Sequence, residues 1–451
     1  MKIKPTRADI RFLLSLIVVH ALYFIAALYY GCIYNGDSQE YVDMAHNISK
    51  GWLYAGDLSK PLQAELLTLR PPGYPLFMWL IYLFVNSNWA ILFVQNIISI
   101  FNIMYLRSTV RSIGYTRKYD WILLAFVLIY PSQYINTNNI TPDLLLQSTV
   151  ILYFSSFIRF VLYKNWRFAL YMSLWLVVGL MIKPVSYPLV YIHAFVMLLA
   201  GIIVYKDLLH SFLCAILPVL VVIGYGYFNF HRTGRLHFSS TQSFNAIFYY
   251  FNYYKEVKGP DEAREFLDTE RATIDTMGRF ADRYNYANRR GMQLLRENFA
   301  GFMLFHTKHS MRILIDPGKG EIDMFTCRLT LEKLYDLHDR SGFYATIEEK
   351  GVNGLKEYVS RNPSFPIAMV VLAFNLLRLV GMLLFFFSSS IDVRIRVFAF
   401  LLIAYYVFVA GAIAHIRYFM PVSLIAMGCA AIGFQLQLQR LRNTANIVAG
   451  K

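Results

Sequence analysis

Residues 12–30 read FLLSLIVVHALYFIAALYY, and residues 31–41 continue GCIYNGDSQEY. The first stretch is apolar or aromatic apart from Ser15 and His20. At 1.5 Å per residue it is long enough to cross about 30 Å of hydrocarbon. The basic residues 1–11 precede it, and no small-residue cleavage site follows a short core, so it reads as a first membrane anchor rather than a secretory leader. The polar stretch behind it runs on to LRPPGYP at 69–75. Most connections between helices are short, and a polar loop of about 40 residues is costly to keep without a use. Residues 34–75 are therefore read as a catalytic loop; the competing reading is a solvated loop whose acids only keep it soluble.

Working outward, apolar blocks recur at 75–85, 89–106, 121–135, 144–162, 168–182, 185–205, 208–230, 365–388, 397–413 and 419–438. The 451-residue chain is 57% hydrophobic and 16% charged, where a soluble chain has about 25% charged residues. The block 75–85 is too short to cross and opens on a proline-rich turn, which suits a re-entrant or interfacial helix and leaves ten crossings. With the N-terminus inside, Arg107, Arg111, Arg117, Lys118, Lys164, Arg167, Lys206, Arg394, Arg396, Arg440, Arg442 and Lys451 all fall on the cytoplasmic side, as the positive-inside rule requires. Counting 75–85 as a crossing reverses most of them. Both termini are thus expected in the cytoplasm.

The net charge of +15 does not point to nucleic acid. Of 43 Lys/Arg and 28 Asp/Glu, 20 and 18 lie within 231–362, and the remaining 23 against 10 surround the membrane blocks. That distribution is a topology signal. The expected fold is an all-α polytopic membrane protein of about ten transmembrane helices. Its parts are an N-terminal module (1–230) with an outer loop (31–75), a small, mostly helical extracytoplasmic domain (231–362) and C-terminal membrane helices (363–451). Within that domain, 298–315 mixes aromatic and basic residues, which suits either the headgroup region or an ordinary amphipathic core helix.

This topology puts the chemistry-bearing residues on one face. Asp37 lies just past the first span, in a loop with Tyr41 and Asp43, where a carboxylate can act as a general base. Asp143 follows Thr141-Pro142 at the entry to a span, and helix capping is an equal reason for it to be there. Lys183-Pro184 interrupts two apolar segments, and an ammonium at that depth calls for a partner such as a lipid phosphate. His415, Arg417 and Arg70 are further cations on the same side. Arg grips phosphate with a planar fork and Lys as a point charge; the lesser, competing reading of Arg417 is snorkelling from a helix end.

There is no Walker-type loop and no GxGxxG at a strand-to-helix turn, which disfavours nucleotide chemistry, and Gly224-Tyr225-Gly226 lies inside an apolar span. Glu321-Ile322-Asp323 and His306-Thr307-Lys308-His309 are loose metal-like matches, and no metal or other cofactor is assigned to them. Cys32, Cys214, Cys327 and Cys429 show neither CxxC nor His-rich spacing, so no zinc site or disulfide framework is implied, and a Cys32–Cys327 bridge is not expected.

Taken in order, these features resemble the GT-C class of membrane glycosyltransferases that use lipid-phosphate sugar donors. The pattern is similar to that of the lipid A aminoarabinose transferases and the protein O-mannosyltransferases. The resemblance rests on Asp37 and Tyr41 after the first span, Arg70-Pro71-Pro72-Gly73-Tyr74-Pro75 before a short apolar helix, Thr141-Pro142-Asp143, Lys183-Pro184, and Arg417-Tyr418 with Pro421 at the last span. It covers 10–205 well and the C-terminal part loosely. It implies that Asp37 is the base activating the acceptor and that Asp143 is a second acid. Lys183, Arg70, His415 and Arg417 would hold the donor phosphate, and Tyr41 and Asp43 would contact substrate. Many members carry two adjacent acids in the first loop, whereas Ser38 follows Asp37 here; Glu40 or Asp43 is left for the second role. The implied reaction is inverting transfer from a polyprenyl-phosphate sugar to a glycan, lipid or protein acceptor of the cell envelope, outside a bacterial inner membrane. A flippase or transporter for a lipid-linked sugar, or an envelope glycan polymerase or ligase, would use nearly the same residues.

Overall fold

The computed structural model describes residues 6–329, 343–413 and 415–448, and every regular element among them is helical. In chain order, α1 (Arg7–Tyr30) leads to α2 (Ser38–Ile48), a single turn at Ala64–Leu67, and α3 (Gly73–Tyr82). Then come α4 (Asn88–Arg111), α5 (Asp120–Leu128), α6 (Pro131–Thr137), α7 (Asp143–Tyr163), α8 (Trp166–Ile182), α9 (Tyr187–Leu199) and α10 (Leu208–Thr233). A polar helical region holds α11 (Thr241–Lys258), α12 (Pro260–Asp275), α13 (Phe280–Glu297), α14 (Phe299–Ile315), α15 (Lys319–Phe325) and α16 (Phe343–Arg361). The chain closes with α17 (Phe365–Phe386), α18 (Val393–Val409) and α19 (Met420–Val448). The protein is an all-α, multi-pass membrane fold.

Seven helical stretches among the described residues are long and apolar enough to cross a membrane. Three of the ten expected crossings, 121–135, 168–182 and 397–413, are not among these seven. The block 121–135 is broken: Pro131 cannot donate to a helical ladder, Tyr130 before it leaves helical geometry (ψ 86°), and α5 and α6 are separate short helices. The blocks 168–182 and 397–413 form α8 and α18, of 17 residues each, the second ending four residues earlier than expected in a 3-10 turn. The short block 75–85 folds as the ten-residue α3.

The core is built around α19, whose apolar stretch is almost wholly enclosed by other helices. Its closest crossing, with α17, depends on paired glycines. A Cβ on Gly433 would lie 2.0 Å from the carbonyl oxygen of Gly381, so neither position accepts a side chain without separating the helices. Polar side chains join the other helices: Gln147 and Gln133 bond each other, Gln133 reaches Ser99, and Gln147 donates to the Met420 carbonyl at 2.7 Å. At the end of the bundle where α1 begins, Arg107 bridges Asp9 and Asp120, and Arg111 pairs with Asp120. These arginines tie α1, α4 and α5 together. Helix α14 buries Phe302, Phe305, His306, Ser310 and Ile313 against the membrane helices and leaves Phe299 and Leu304 exposed, so its buried face is a packing face.

Cys32 and Cys327 form a disulfide across 295 residues, contrary to the sequence expectation. Spacing carried no hint of it because the pair is brought together only when α15 docks beside the end of α1. Replacing both cysteines with serine is expected to destabilise the protein by about 2–4 kcal/mol, since the bond removes a long loop from the unfolded ensemble. Unfolding in detergent with and without reductant checks this, and identical curves for wild type and variant would refute it.

Candidate active site

Backbone bonds carry the first acid to the second. Helix α1 ends at Gly31 in the left-handed region (φ +73°), and the chain turns extended. Ile33 then accepts from the Ile140 amide at 2.9 Å, while the Ser38 hydroxyl accepts from the Asn35 amide and donates to the Ile140 carbonyl. Asp37 at the start of α2 is thus laid beside Asp143 at the start of α7. Pro142, not Asp143, is the N-cap of α7, and no side-chain hydrogen bond caps that helix, which removes the capping explanation for Asp143.

Three cations meet these acids. Lys183 ends α8 because Pro184 cannot continue it, and its Nζ donates to Asp143 Oδ1 at 2.6 Å. Arg417 stands in a 3-10 turn, Ile416–Phe419, and donates from both terminal nitrogens to the two oxygens of Asp37 at 2.9 Å each. Its Nε lies 3.2 Å from Asp143 Oδ2 without forming a hydrogen bond, so both atoms remain unsatisfied among the described residues. The Tyr418 ring lies beneath both cations, 4.6 Å from Lys183 Nζ and 5.3 Å from the guanidinium carbon of Arg417. Arg70 binds Glu40 at 2.7 Å and stacks over Tyr41 at 5.2 Å. The RPPGYP stretch owes its shape to Gly73: a Cβ there would meet the Met181 carbonyl oxygen at 2.6 Å, so only glycine lets this loop close on the end of α8 beside Lys183.

Electrostatically, three carboxylates face three cations. Asp143 is fully buried and Lys183 and Arg417 are each 7% exposed, so Arg417 does not snorkel to water. Burial alone would raise the Asp37 carboxyl, but the charges of Arg417, Arg70 and Lys183 outweigh it and hold the group well below the usual carboxylate range. For Glu40 burial prevails over Arg70 and its carboxyl is raised. Such pairs at low dielectric bind strongly but are costly to desolvate. Tyr41 Oη, Thr141 Oγ1, Asp143 Oδ2 and Arg417 Nε, unsatisfied among the described residues, add unused capacity for a polar ligand.

Of the residues singled out from sequence, Asp37, Asp143, Lys183, Arg417, Arg70 and Tyr41 come together. His415 adjoins them but faces Glu321, 3.7 Å away, instead of the cation cluster. Asp43 stays outside, accepting from Gln39 one helical turn back. Glu40 takes a place in the cluster that sequence had left between it and Asp43. Glu321 was missed as a site residue; the loose Glu321-Ile322-Asp323 match misled because the two acids diverge, Asp323 turning to Lys319 and Ser364. Among the described residues no group of three or more His, Cys, Asp or Glu side chains is arranged to hold a metal.

An apolar cavity of about 670 Å³ lies between α7, α9, α14, α17 and α18. Tyr405 on its wall donates to the carbonyl of Val185, two residues from Lys183, and Leu189 and Met197 continue the wall away from the cations. Ile192, Leu383, Phe400 and Leu401 around it are exposed, so it opens sideways between the helices.

No family model matches the chain, and no curated protein sequence does either. Among solved structures, it is similar to the crystal structure of ArnT from Cupriavidus metallidurans bound to undecaprenyl phosphate. The match has 14% identity and a TM-score of 0.40, and covers 94% of this chain and 77% of that one.

Proposed function

We propose that this protein is an inverting glycosyltransferase of the GT-C type, moving a sugar from a polyprenyl-phosphate donor to an acceptor of the cell envelope on the extracytoplasmic face. The observation that carries this reading is the buried meeting of Lys183, Arg417 and Arg70 at one site, with Arg417 Nε and Tyr41 Oη left unsatisfied among the described residues. A donor phosphate would be held by Lys183, Arg417 and Arg70, and the apolar cavity, linked to this region through Tyr405 and Val185, would suit its lipid chain. The unsatisfied Arg417 Nε supports a further acceptor atom there.

In the unliganded cluster, Asp37 and Asp143 keep the cations oriented and neutralised. The donor phosphate takes over part of that pairing, and as the bond from anomeric carbon to phosphate oxygen breaks, Arg417 and Lys183 stabilise the charge growing on the leaving phosphate. Asp37, expected from sequence to be the base, accepts from Arg417 on each oxygen and so fixes that guanidinium. The extracytoplasmic orientation gains support from the Cys32–Cys327 bond beside the site, since disulfides persist in oxidising compartments. Clustering of the polar groups at one end of the bundle favours a transferase over a transporter, whose site would sit at the midplane.

The test is incubation of the purified protein in lipid with a radiolabelled polyprenyl-phosphate hexose and a crude envelope acceptor extract. Label passing to the acceptor, or slow hydrolysis of the donor, is the expected outcome. Donor binding and transbilayer movement without any glycosidic chemistry would sink the transferase and establish a flippase.

A further inference from the structure

A second cavity, of about 280 Å³, adjoins the ion-pair cluster, walled by Ile33, Asn35, Asn139, Phe325 and His415 with Glu321 among them. Two of its lining residues, Asn35 and His415, stand two residues before Asp37 and Arg417, and the Arg417 charge acts on Glu321. The segment carrying Glu321 is held firmly. Arg378 and Asn375 of α17 donate to the carbonyls of Leu314, Ile315 and Asp316 that end α14, and Asp316 accepts from the Gly318 amide in a left-handed turn (φ +70°) that starts α15. An arginine buried within a membrane helix thus fixes the turn that aims Glu321.

Glu321 is 5% exposed. Its Oε1 accepts from Asn136 at 3.0 Å, and its Oε2 has no hydrogen-bond partner among the described residues. His415 Nδ1 spends its one ring lone pair accepting from the Arg417 amide at 3.2 Å, so it gives no proton to Glu321 Oε1, 3.7 Å away. Glu321 thus brings to the cavity wall a carboxylate oxygen to which no described residue donates, suited to receive a proton. Asp37 differs in accepting from a cation, Arg417, on each oxygen.

We infer that Glu321 is the general base of the transfer, taking the proton from an acceptor hydroxyl or amine bound in this cavity; the assignment rests on the transferase reading above. In the step, a lone pair of the nucleophile forms the bond to the anomeric carbon and the carbon–oxygen bond to the phosphate breaks. Its electrons leave with the lipid phosphate, and the proton of the nucleophile passes to the Glu321 carboxylate. The groups facing Glu321 are Asn136 and Ser132 of α6, Asp316 before α15, and His415 and Arg417 of the 3-10 turn. Burial dominates over the lowering effect of Asn136, Ser132 and Arg417 and, with a smaller push from Asp316, raises its carboxyl to about 7, the range in which a general base works best.

The experiment compares wild type, Glu321→Gln and Glu321→Asp in lipid with the radiolabelled polyprenyl-phosphate hexose at saturation, across pH, with donor binding measured alongside. Expected are a wild-type rate that rises with pH through about 7 as the base ionises and a fall of about 10²- to 10⁴-fold in Glu321→Gln. That variant should also lose the acid limb and keep donor binding. Azide, a nucleophile with no proton to lose, should restore sugar release in Glu321→Gln as the glycosyl azide, and Glu321→Asp should regain part of the rate. Wild-type turnover in Glu321→Gln, survival of its acid limb, or loss of donor binding together with turnover each overturn the assignment while leaving the transferase intact. Absence of transfer and hydrolysis in wild type overturns both.

Discussion

Arg417→Met is expected to lower sugar transfer by about 10²- to 10³-fold, the scale seen when a preorganised donor to a developing anion is removed. It should also destabilise the fold by about 3–5 kcal/mol, because a buried carboxylate that loses its partner keeps its desolvation cost. The reason is specific to this position: one guanidinium makes the bidentate contact with Asp37 and approaches Asp143, joining the loop after α1, the start of α7 and the last membrane helix. Arg417→Lys restores a charge but not the planar fork, so stability should return further than transfer. Donor binding, single-turnover transfer and unfolding in detergent, measured on the same preparations, check this. A methionine variant with wild-type donor affinity and turnover would remove Arg417 from the phosphate site and with it the centre of the proposed mechanism.

The second large effect concerns Lys183 and Asp143, 2.6 Å apart and almost excluded from solvent. Each single change, Lys183→Met or Asp143→Asn, is expected to cost about 3–5 kcal/mol by stranding the other group. The double variant should cost less than their sum, with a coupling of about 0.5–3 kcal/mol, as for residues in direct contact. Transfer should fall in all three, since none keeps the ammonium oriented toward the donor. Unfolding midpoints for the four proteins give the coupling directly, and strict additivity would mean that the contact contributes nothing. The comparison separates two roles of the lysine: a stability defect relieved in the double variant while activity stays low marks Lys183 as a ligand to the phosphate as well as a structural partner.

Much of the candidate site is legible in the sequence because its residues break the local rules of a membrane chain. An ammonium before Pro184, an arginine at the start of the last span and a carboxylate just past the first each stand where insertion is costly, and each joins the cluster. Gly73 is different, its need visible only once Met181 is beside it. Glu321 carries no such mark. It lies in a polar stretch where acids are ordinary, and its character comes from burial against Asn136 and His415, from parts of the chain 185 and 94 residues away. Cys32 and Cys327 are hidden for the same reason, since a pairing across 295 residues leaves no spacing to read.

By itself the sequence determined that the chain is helical and crosses a membrane several times, since block length and apolarity answer directly to the thickness of hydrocarbon. It also determined which ionisable residues would need partners, because an unpaired charge there is too costly to keep. Only the tertiary structure decided who those partners are: Asp37 with Arg417, Asp143 with Lys183, Glu40 with Arg70, and Glu321 with one oxygen unpartnered among the described residues. Periodicity and hydropathy are local quantities, whereas ion pairing is settled by helix ends that meet only after the bundle has packed.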